Sequence, residues 1–225
     1  MKQKIKDNIS ESAADFKSID YSDYFLTQKN VKIKLKAFGE KTASLNAFFL
    51  DYLKGYNIPS AYQKRNSKNQ LYFINFTEIP FKVRILNNAD LRTSKIFSIK
   101  PQSQLELPIF EFHYSDDKDS LITESHIVSF NLSSYDDIKF IIRLCSKINA
   151  IVKSFFDRRS VTLLELTCIF GKFDGKIFLV GEFSPESIKI IDTSKNEIVP
   201  DPFKIKTPAQ MKKYADCLIK LTSGE

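Results

Sequence analysis

Two stretches of the chain repeat their apolar residues with the period of an α-helix. The first predicts a helix from Thr42 to about Gly55, and the second predicts a helix over residues 134–156. Ser134, with Asp137 three residues later, resembles a capping box and marks the start of the second helix. The residues on the apolar faces that we expect to be buried include Phe49, Leu53, Ile141, Ile142 and Val152.

Other stretches alternate apolar and polar residues, which is the pattern of half-buried β-strands. Asp174-Gly175 separates two apolar runs and predicts a tight hairpin turn between them. Thr207 followed by Pro208 predicts the start of a C-terminal helix. The helices are isolated among the strands, without regular βα alternation, so the order of elements indicates an α+β fold. The expected strands cover residues 31–38, 71–76, 81–86, 105–114, 161–170, 176–183 and 188–192.

Length and composition fit an ordinary globular protein of one or two domains. The chain has 225 residues, is 43% hydrophobic and carries a formal net charge of +7. Lys32, Lys34 and Lys36 alternate with apolar residues, as on the solvated face of a strand, which argues against nucleic acid as the partner of this charge. No apolar run is long enough to span a membrane, and residues 1–17 lack the apolar core of a secretory signal. A cytoplasmic protein without membrane contact is therefore expected.

Several kinds of site are excluded by the residue types present. The three cysteines, Cys145, Cys168 and Cys217, are widely spaced, which excludes a disulfide framework and a CxxC metal or redox motif. Two histidines are too few for a His-rich metal site. None of the six glycines belongs to a glycine-built phosphate loop, so the standard nucleotide motifs are missing.

The predicted hairpin carries a family resemblance. Residues 163–192, LLELTCIFGKFDGKIFLVGEFSPESIKIID, resemble the signature of phosphoribosylaminoimidazole-succinocarboxamide synthase (SAICAR synthetase). That signature runs D-F-K-x-E-x-G, a turn, then D-E-[IF]-S-P-D-x-x-R. IPFKVRILNNADLRTSK (79–95) resembles the family's I-P-L-E-V-V-V-R-N-x-A-A-G-S-L-x-K. Two further segments, 56–65 and 107–127, resemble family landmarks in the same order.

The resemblance implies a SAICAR-synthetase-like α+β fold. It implies an N-terminal β-rich lobe at residues 1–78, a larger α+β lobe at residues 79–225 and a cleft between them. The implied reaction belongs to purine biosynthesis: ATP-dependent ligation of aspartate to carboxyaminoimidazole ribotide, with ATP and Mg²⁺ as cofactors. The expected partner is therefore a small nucleotide or ribotide, and assembly into a homo-oligomer is left open.

The same comparison marks departures from the family pattern. Residues 11–15 stand where the family has E-G-K-A-K and lack its glycine and both lysines. Leu86 and Thr167 replace an arginine and a lysine, while Ile169 and Gly181 replace two carboxylates. Phosphoryl transfer depends on cations at the phosphates and on carboxylates that hold Mg²⁺. We therefore expect a diverged member with little or no ligase activity.

The residues that remain define the expected sites. Glu165 and Glu182, on neighbouring strands of the hairpin, are candidate ligands for Mg²⁺ and the cofactor, although solvated strand carboxylates share this pattern. Two alternatives to a diverged enzyme stay open: an active synthetase that uses substitute residues, and a non-catalytic binding or assembly protein on the same fold. The expected substrate-binding residues are Asn87, Asp116, Asp117, Ser184, Glu186 and Lys189.

Overall fold

The computed structural model describes residues 16–26, 31–114, 120–192 and 199–223. The α-helices in these ranges are α1 (Phe38–Lys54), α2 (Leu91–Phe97), α3 (Glu124–Ser129), α4 (Tyr135–Asp157) and α5 (Pro208–Ser223). The strands are β1 (Phe16–Asp20), β2 (Tyr24–Leu26), β3 (Lys32–Lys34), β4 (Tyr62–Arg65), β5 (Gln70–Ile74), β6 (Thr77–Asn88), β7 (Gln104–His113), β8 (Leu121–Ile122), β9 (Val161–Phe173), β10 (Lys176–Gly181) and β11 (Lys189–Asp192).

Six strands form one large antiparallel sheet in the order β10-β9-β6-β7-β8, with β11 also paired to β9. The predicted hairpin between β9 and β10 is confirmed. Asp174 and Gly175 at its turn have φ angles of 47° and 70°, as a type I′ turn requires. The long strands β6 and β9 pair side by side, which brings two of the sequence segments that carry the family resemblance together.

Helix α4 packs on one face of this sheet and begins where the sequence predicts. The Ser134 hydroxyl accepts from the Asp137 N–H at 3.1 Å, while the Asp137 carboxylate accepts from the Ser134 N–H at 3.4 Å. Ile142 was expected to be buried, and that prediction is wrong. It lies about 100° around the helix from Ile141 and only partly reaches the core. The other predicted core residues are fully buried: Phe49, Leu53, Ile141 and Val152.

Helix α1 begins at Phe38, earlier than the sequence pattern predicts. Asp23 explains the difference, because its carboxylate accepts from the N–H groups of Ala37 at 3.2 Å and Gly39 at 2.9 Å. These bonds satisfy helix donors from a residue far outside the helix. Gly39 is required at this start, since a Cβ there would lie 2.1 Å from the carbonyl oxygen of Tyr21.

The N-terminal residues add two smaller sheets, β1-β5-β4 and β2-β3. β1 and β4 lie in polar stretches where the sequence predicted no strand, and the strand predicted over residues 31–38 is shortened to β3. Leu179 joins this region to the large sheet, because it accepts from the Ala61 N–H at 2.9 Å and donates to the Pro59 carbonyl at 2.8 Å. The predicted lobe boundary after residue 78 falls within β6, and the division into two lobes stays a prediction.

Candidate functional site

A bulge in β9 decides which side chains face the candidate site. Leu163 pairs with Ile190 and Glu165 pairs with Lys189, so β9 advances by two residues while β11 advances by one. Leu164 is the extra residue of this bulge. Strict alternation would place Glu165 on the same side as Leu163, which lies in the core. The bulge instead turns Glu165 to the sheet face away from α4, here called the polar face.

The strand register arranges charged positions in rows across the polar face. Arg84 of β6 lies directly opposite Glu111 of β7 on one side and opposite Thr167 of β9 on the other. Residues 83 and 85, its neighbours in β6, point into the core, so Arg84 points away from α4. The next row contains, in order across β6, β9 and β11, Leu86, Glu165 and Lys189.

Arg84 is the centre of the site. Its Nη1 atom lies 3.0 Å from Asp90 Oδ2 and 3.3 Å from Glu111 Oε2, and its Nη2 atom lies 2.5 Å from Glu165 Oε2. Burial lowers the pKa of Arg84, but Glu165, followed by Asp90 and Glu111, outweighs burial and leaves the pKa raised. The guanidinium is therefore always charged, and it ties β6, β7 and β9 to the start of α2, which Asp90 caps.

Glu111 is held by more than one cation. Arg92 of α2 donates to its second carboxylate oxygen, and His113 Nε2 lies 3.3 Å from the oxygen that faces Arg84. Burial raises the pKa of Glu111, but the hydrogen bond from His113 and the charges of Arg84 and Arg92 outweigh burial and lower it. The carboxylate is therefore ionised at neutral pH although only 6% of its side chain is exposed.

The S-P-E segment that resembles the family forms a tight turn after β10. The Ser184 hydroxyl donates to Glu182 Oε1 at 2.9 Å and accepts from the Glu186 N–H at 3.2 Å. Glu186 Oε1 in turn accepts from the N–H of Leu26, at the end of β2, at 2.7 Å. The turn thus fixes the direction of Glu182 and links the large sheet to the β2-β3 pair.

Lys189 follows this turn and is surrounded by carboxylates. Burial lowers its pKa, and the negative charges of Glu165, Glu186 and Glu182 oppose that shift without cancelling it. The turn and Lys189 therefore bring five of the predicted site residues to one edge of the polar face: Glu165, Glu182, Ser184, Glu186 and Lys189.

The remaining predicted substrate residues lie elsewhere. Asn87 points to the α4 side of the sheet, where its amide and that of Asn149 form two reciprocal hydrogen bonds of 2.9 and 2.8 Å. Asp116 and Asp117 fall outside the described residues, as does the segment 11–15 at the nucleotide-loop position. Their roles in substrate binding stay predictions.

The donor set on the polar face does not fit Mg²⁺ as it stands. Glu165 lies against Arg84, and Glu182, which follows the last residue of β10, accepts from Ser184. Within the described ranges, no group of three or more His, Cys, Asp or Glu side chains is arranged to hold a metal ion. Magnesium prefers several carboxylate or water oxygens that are free to coordinate it. The proposed metal ligands, Glu165 and Glu182, stay predictions.

The residues at the centre of the site were not predicted from the sequence: Arg84, Glu111 and Arg92. A signal for Arg84 was present, since the family pattern I-P-L-E-V-V-V-R-N has valine where this chain has arginine. Nothing in the sequence distinguished Glu111 from any other polar residue of a strand with alternating polar and apolar residues. The ion pairs depend on the pairing of β6 with β7 and β9, which the sequence alone does not specify.

Comparison with known proteins identifies the family. Residues 15–207 match the sequence profile of the family described as SAICAR synthetase. The chain belongs to the SAICAR synthetase family. This membership connects it with purine biosynthesis and with the ligases of that pathway, and it confirms the resemblance drawn from the hairpin region.

Relatives and structures agree with this family. The phosphoribosylaminoimidazole-succinocarboxamide synthase of Acidithiobacillus ferrooxidans is 27% identical over 186 residues, which cover 81% of this chain and 78% of that protein. The crystal structure of the Ehrlichia chaffeensis synthase is 25% identical, with a TM-score of 0.81 over 92% of this chain and 91% of that one. A SAICAR synthetase (Type-2) in complex with ADP, 24% identical, has the same fold with a TM-score of 0.83 over 94% and 92% of the two chains.

The SAICAR synthetase fold confirms the α+β class predicted from the order of elements. The family uses ATP, and one of the structural neighbours is a SAICAR synthetase in complex with ADP. Among the helices of the described residues, none combines the length and apolar character of a membrane-spanning segment.

Proposed function

We propose that this member of the SAICAR synthetase family binds a ribotide-type ligand but has little or no ligase activity. The family reaction transfers the γ-phosphoryl group of ATP to a carboxylate oxygen of carboxyaminoimidazole ribotide. The aspartate amine then attacks the acyl carbon, loses a proton and displaces phosphate. Both steps depend on cations that neutralise phosphate oxygens and on a correctly held metal ion.

One observation carries this proposal: the carboxylate of Glu165 lies 2.5 Å from Arg84. The family has four carboxylates in its hairpin motifs D-F-K-x-E and D-E, and this chain keeps two of them, Glu165 and Glu182. The other two positions are Ile169 and Gly181. With Glu165 engaged by an arginine, the face has no free pair of carboxylates for Mg²⁺ among the described residues.

The residues expected to bind the ribotide retain more of the polar character of the family motif. The turn at Ser184 keeps its internal hydrogen bonds, and Glu186 and Lys189 keep the charge signs of the family motif. A structural neighbour binds ADP, but this chain has neither glycine nor lysine within residues 11–15. These differences support retained ribotide binding with weak nucleotide binding.

The test is product formation by the unmodified chain. Purified protein is incubated with carboxyaminoimidazole ribotide, aspartate, ATP and Mg²⁺, and succinocarboxamide product is measured by chromatography. The Acidithiobacillus ferrooxidans synthase, assayed beside it, is the positive control. We expect product from the control and none above background from this chain.

Robust turnover by the unmodified chain contradicts the proposal. It favours the second candidate, an active synthetase with substitute residues, in which Glu165 and Glu182 are the leading metal ligands. The observation that favours this candidate is that both carboxylates are present at one edge of the polar face beside Lys189.

A further inference from the structure

We propose that Arg84 replaces two lost cations of the cleft with one and anchors an anionic group of the ribotide ligand. The inference rests on the proposed function, because it assumes that the cleft still takes a ribotide. It goes beyond that function by assigning the anchor to a residue that the family pattern does not contain.

The position of Arg84 is the first argument. The family pattern has an arginine at position 86 and a lysine at position 167, and this chain has Leu86 and Thr167 there. Arg84 lies on the same face as Leu86, two residues earlier in β6, and directly opposite Thr167 across the β6–β9 pair. Residues i and i+2 are about 6.6 Å apart along a strand, and neighbouring strands are about 4.8 Å apart. The long side chain of Arg84 can therefore place its positive charge between positions 86 and 167.

The unused donors of Arg84 are the second argument. A guanidinium has five N–H groups in a planar fork. The hydrogen bonds to Asp90, Glu111 and Glu165 use three of them. The other two have no partner within the described part of the chain, and 24% of the side chain is exposed. A phosphate or carboxylate can therefore approach Arg84 without displacing its protein partners.

The surrounding charges are the third argument. Arg92, which is 43% exposed, binds the other oxygen of Glu111, and Lys189 lies beside Glu165. Arg84 is thus held in one orientation by carboxylates that also interact with other cations. Glu111 is shared with Arg92, and Glu165 is shared with Lys189. A buried ion network is often no more stabilising than an apolar replacement. The family has valine at position 84, and a valine side chain would also fit this strand. Ligand binding therefore explains the arginine better than the stability of the sheet does.

The experiment measures binding by calorimetry with three matched probes. Aminoimidazole ribotide carries a phosphate, aminoimidazole carboxylate riboside carries only a carboxylate, and aminoimidazole riboside carries neither. The proteins are the unmodified chain, Arg84→Leu, Arg84→Lys and the relocation variant Arg84→Val with Leu86→Arg. Arg143→Leu, which removes an exposed arginine from α4 on the opposite side of the sheet, is the control.

We expect Arg84→Leu to weaken binding of one charged probe by about 10- to 100-fold, the loss of a hydrogen bond to a charged group. Binding of the neutral riboside and all binding by Arg143→Leu should stay unchanged. Arg84→Lys should recover part of the affinity, because it returns the charge without the fork. A loss limited to the ribotide assigns the phosphate as the anchored group, and a loss limited to the carboxylate riboside assigns the carboxylate.

Three results would overturn the inference: no binding of either charged probe by the unmodified chain, equal loss for all three probes, or no effect of Arg84→Leu. Leu86 is only 1% exposed, so the relocation variant is judged only if its far-ultraviolet circular dichroism matches that of the unmodified chain. Recovery of affinity in that variant supports the replacement of one cation by the other. Turnover is not part of this readout, so an active enzyme would overturn the proposed function without deciding the role of Arg84.

Discussion

Ile169 and Gly181 are direct cross-strand partners in the β9–β10 hairpin. The family has a carboxylate at each of these positions. The two carboxylates that this chain lacks would therefore lie next to each other in the same hairpin. The two losses therefore act on a single site and are best tested together.

Ile169→Glu combined with Gly181→Asp should create divalent-cation binding without creating turnover. The two new carboxylates lie on directly paired residues of neighbouring strands, whereas residues 11–15 still lack the nucleotide-loop groups. We expect Mn²⁺ affinity, measured by electron paramagnetic resonance, to rise about tenfold or more, which corresponds to ~1.4 kcal/mol.

The matched control for this variant is Ile169→Gln with Gly181→Asn, which has nearly the same volume and no charge. A Cβ at Gly181 would lie 3.2 Å from Asn46 Oδ1, which accepts from the Phe183 N–H. Both double variants should therefore lose similar stability in thermal melts. Equal Mn²⁺ binding by the two would show that the carboxylates are not the cause.

Adjacent residues of α4 provide a test of the core. Ile141 is fully buried, so Ile141→Ala should lower the free energy of unfolding by about 2–5 kcal/mol. Ile142 is only partly buried, so Ile142→Ala should cost clearly less. Urea unfolding of the two variants checks the order. A larger cost at Ile142 would mean that the buried face of the helix is assigned incorrectly.

The sequence predicts those features of the fold that depend on local pattern. The α4 capping box and the Asp174-Gly175 turn were found because each involves residues within a few positions of one another. The early start of α1 was missed because Asp23 caps it across 14 and 16 residues. The ion network of Arg84 was missed for the same reason, since its partner Glu165 is 81 residues away in the chain.

Family resemblance locates candidate positions, but it does not tell which side chains contact each other. Glu165 was predicted as a metal ligand from its place in the motif, and the structure puts it against Arg84. Its orientation depends on the bulge at Leu164, and no sequence pattern in β9 marks a bulge. Asn87 was predicted to bind substrate, and the structure places its amide against Asn149 on the other face.

Glu111→Gln should make the protein less stable at neutral pH and less sensitive to acid. The pKa of Glu111 is lowered below its ordinary value of 4.5, so its ionised form favours folding. This contribution is complete above pH 4.5 and is lost as the pH falls through the lower pKa of the folded state. We expect a cost of about 1–3 kcal/mol at pH 7.

Chemical unfolding of both proteins between pH 7 and pH 3 measures this effect. The difference between Glu111→Gln and the unmodified chain should be largest at pH 7 and should shrink below pH 4.5. Glu106→Gln, which removes an exposed carboxylate from the same strand, is the matched control. A stability difference that stays constant with pH would contradict the prediction, because the cost of the substitution would then not come from the ionisation of Glu111.

Tyr214→Phe should loosen β11 and with it the position of Lys189. The buried Tyr214 hydroxyl donates to the Ile188 carbonyl at 2.9 Å and accepts from the Ile190 N–H at 3.0 Å. Removing it leaves two buried backbone groups unsatisfied, at a cost of about 1–3 kcal/mol. Denaturant unfolding measures this, with Tyr135→Phe on an exposed tyrosine as the control. Equal stability of the two variants would contradict the prediction.

MgATP should bind this chain weakly, and binding should return only when the lost groups are restored as a set. Ser12→Gly, Ala13→Lys and Asp15→Lys rebuild the E-G-K-A-K motif, and Thr167→Lys adds a cation on the polar face. Groups that act together on one ligand have strongly non-additive effects, so each change alone should have little effect.

Calorimetry compares MgATP binding by the unmodified chain, the loop triple variant, Thr167→Lys and the full set. We expect measurable tightening only in the full set, because the charge of the phosphates is neutralised by several cations acting together. A low-micromolar dissociation constant for the unmodified chain would contradict the prediction, since residues 11–15 would then not be needed for nucleotide binding.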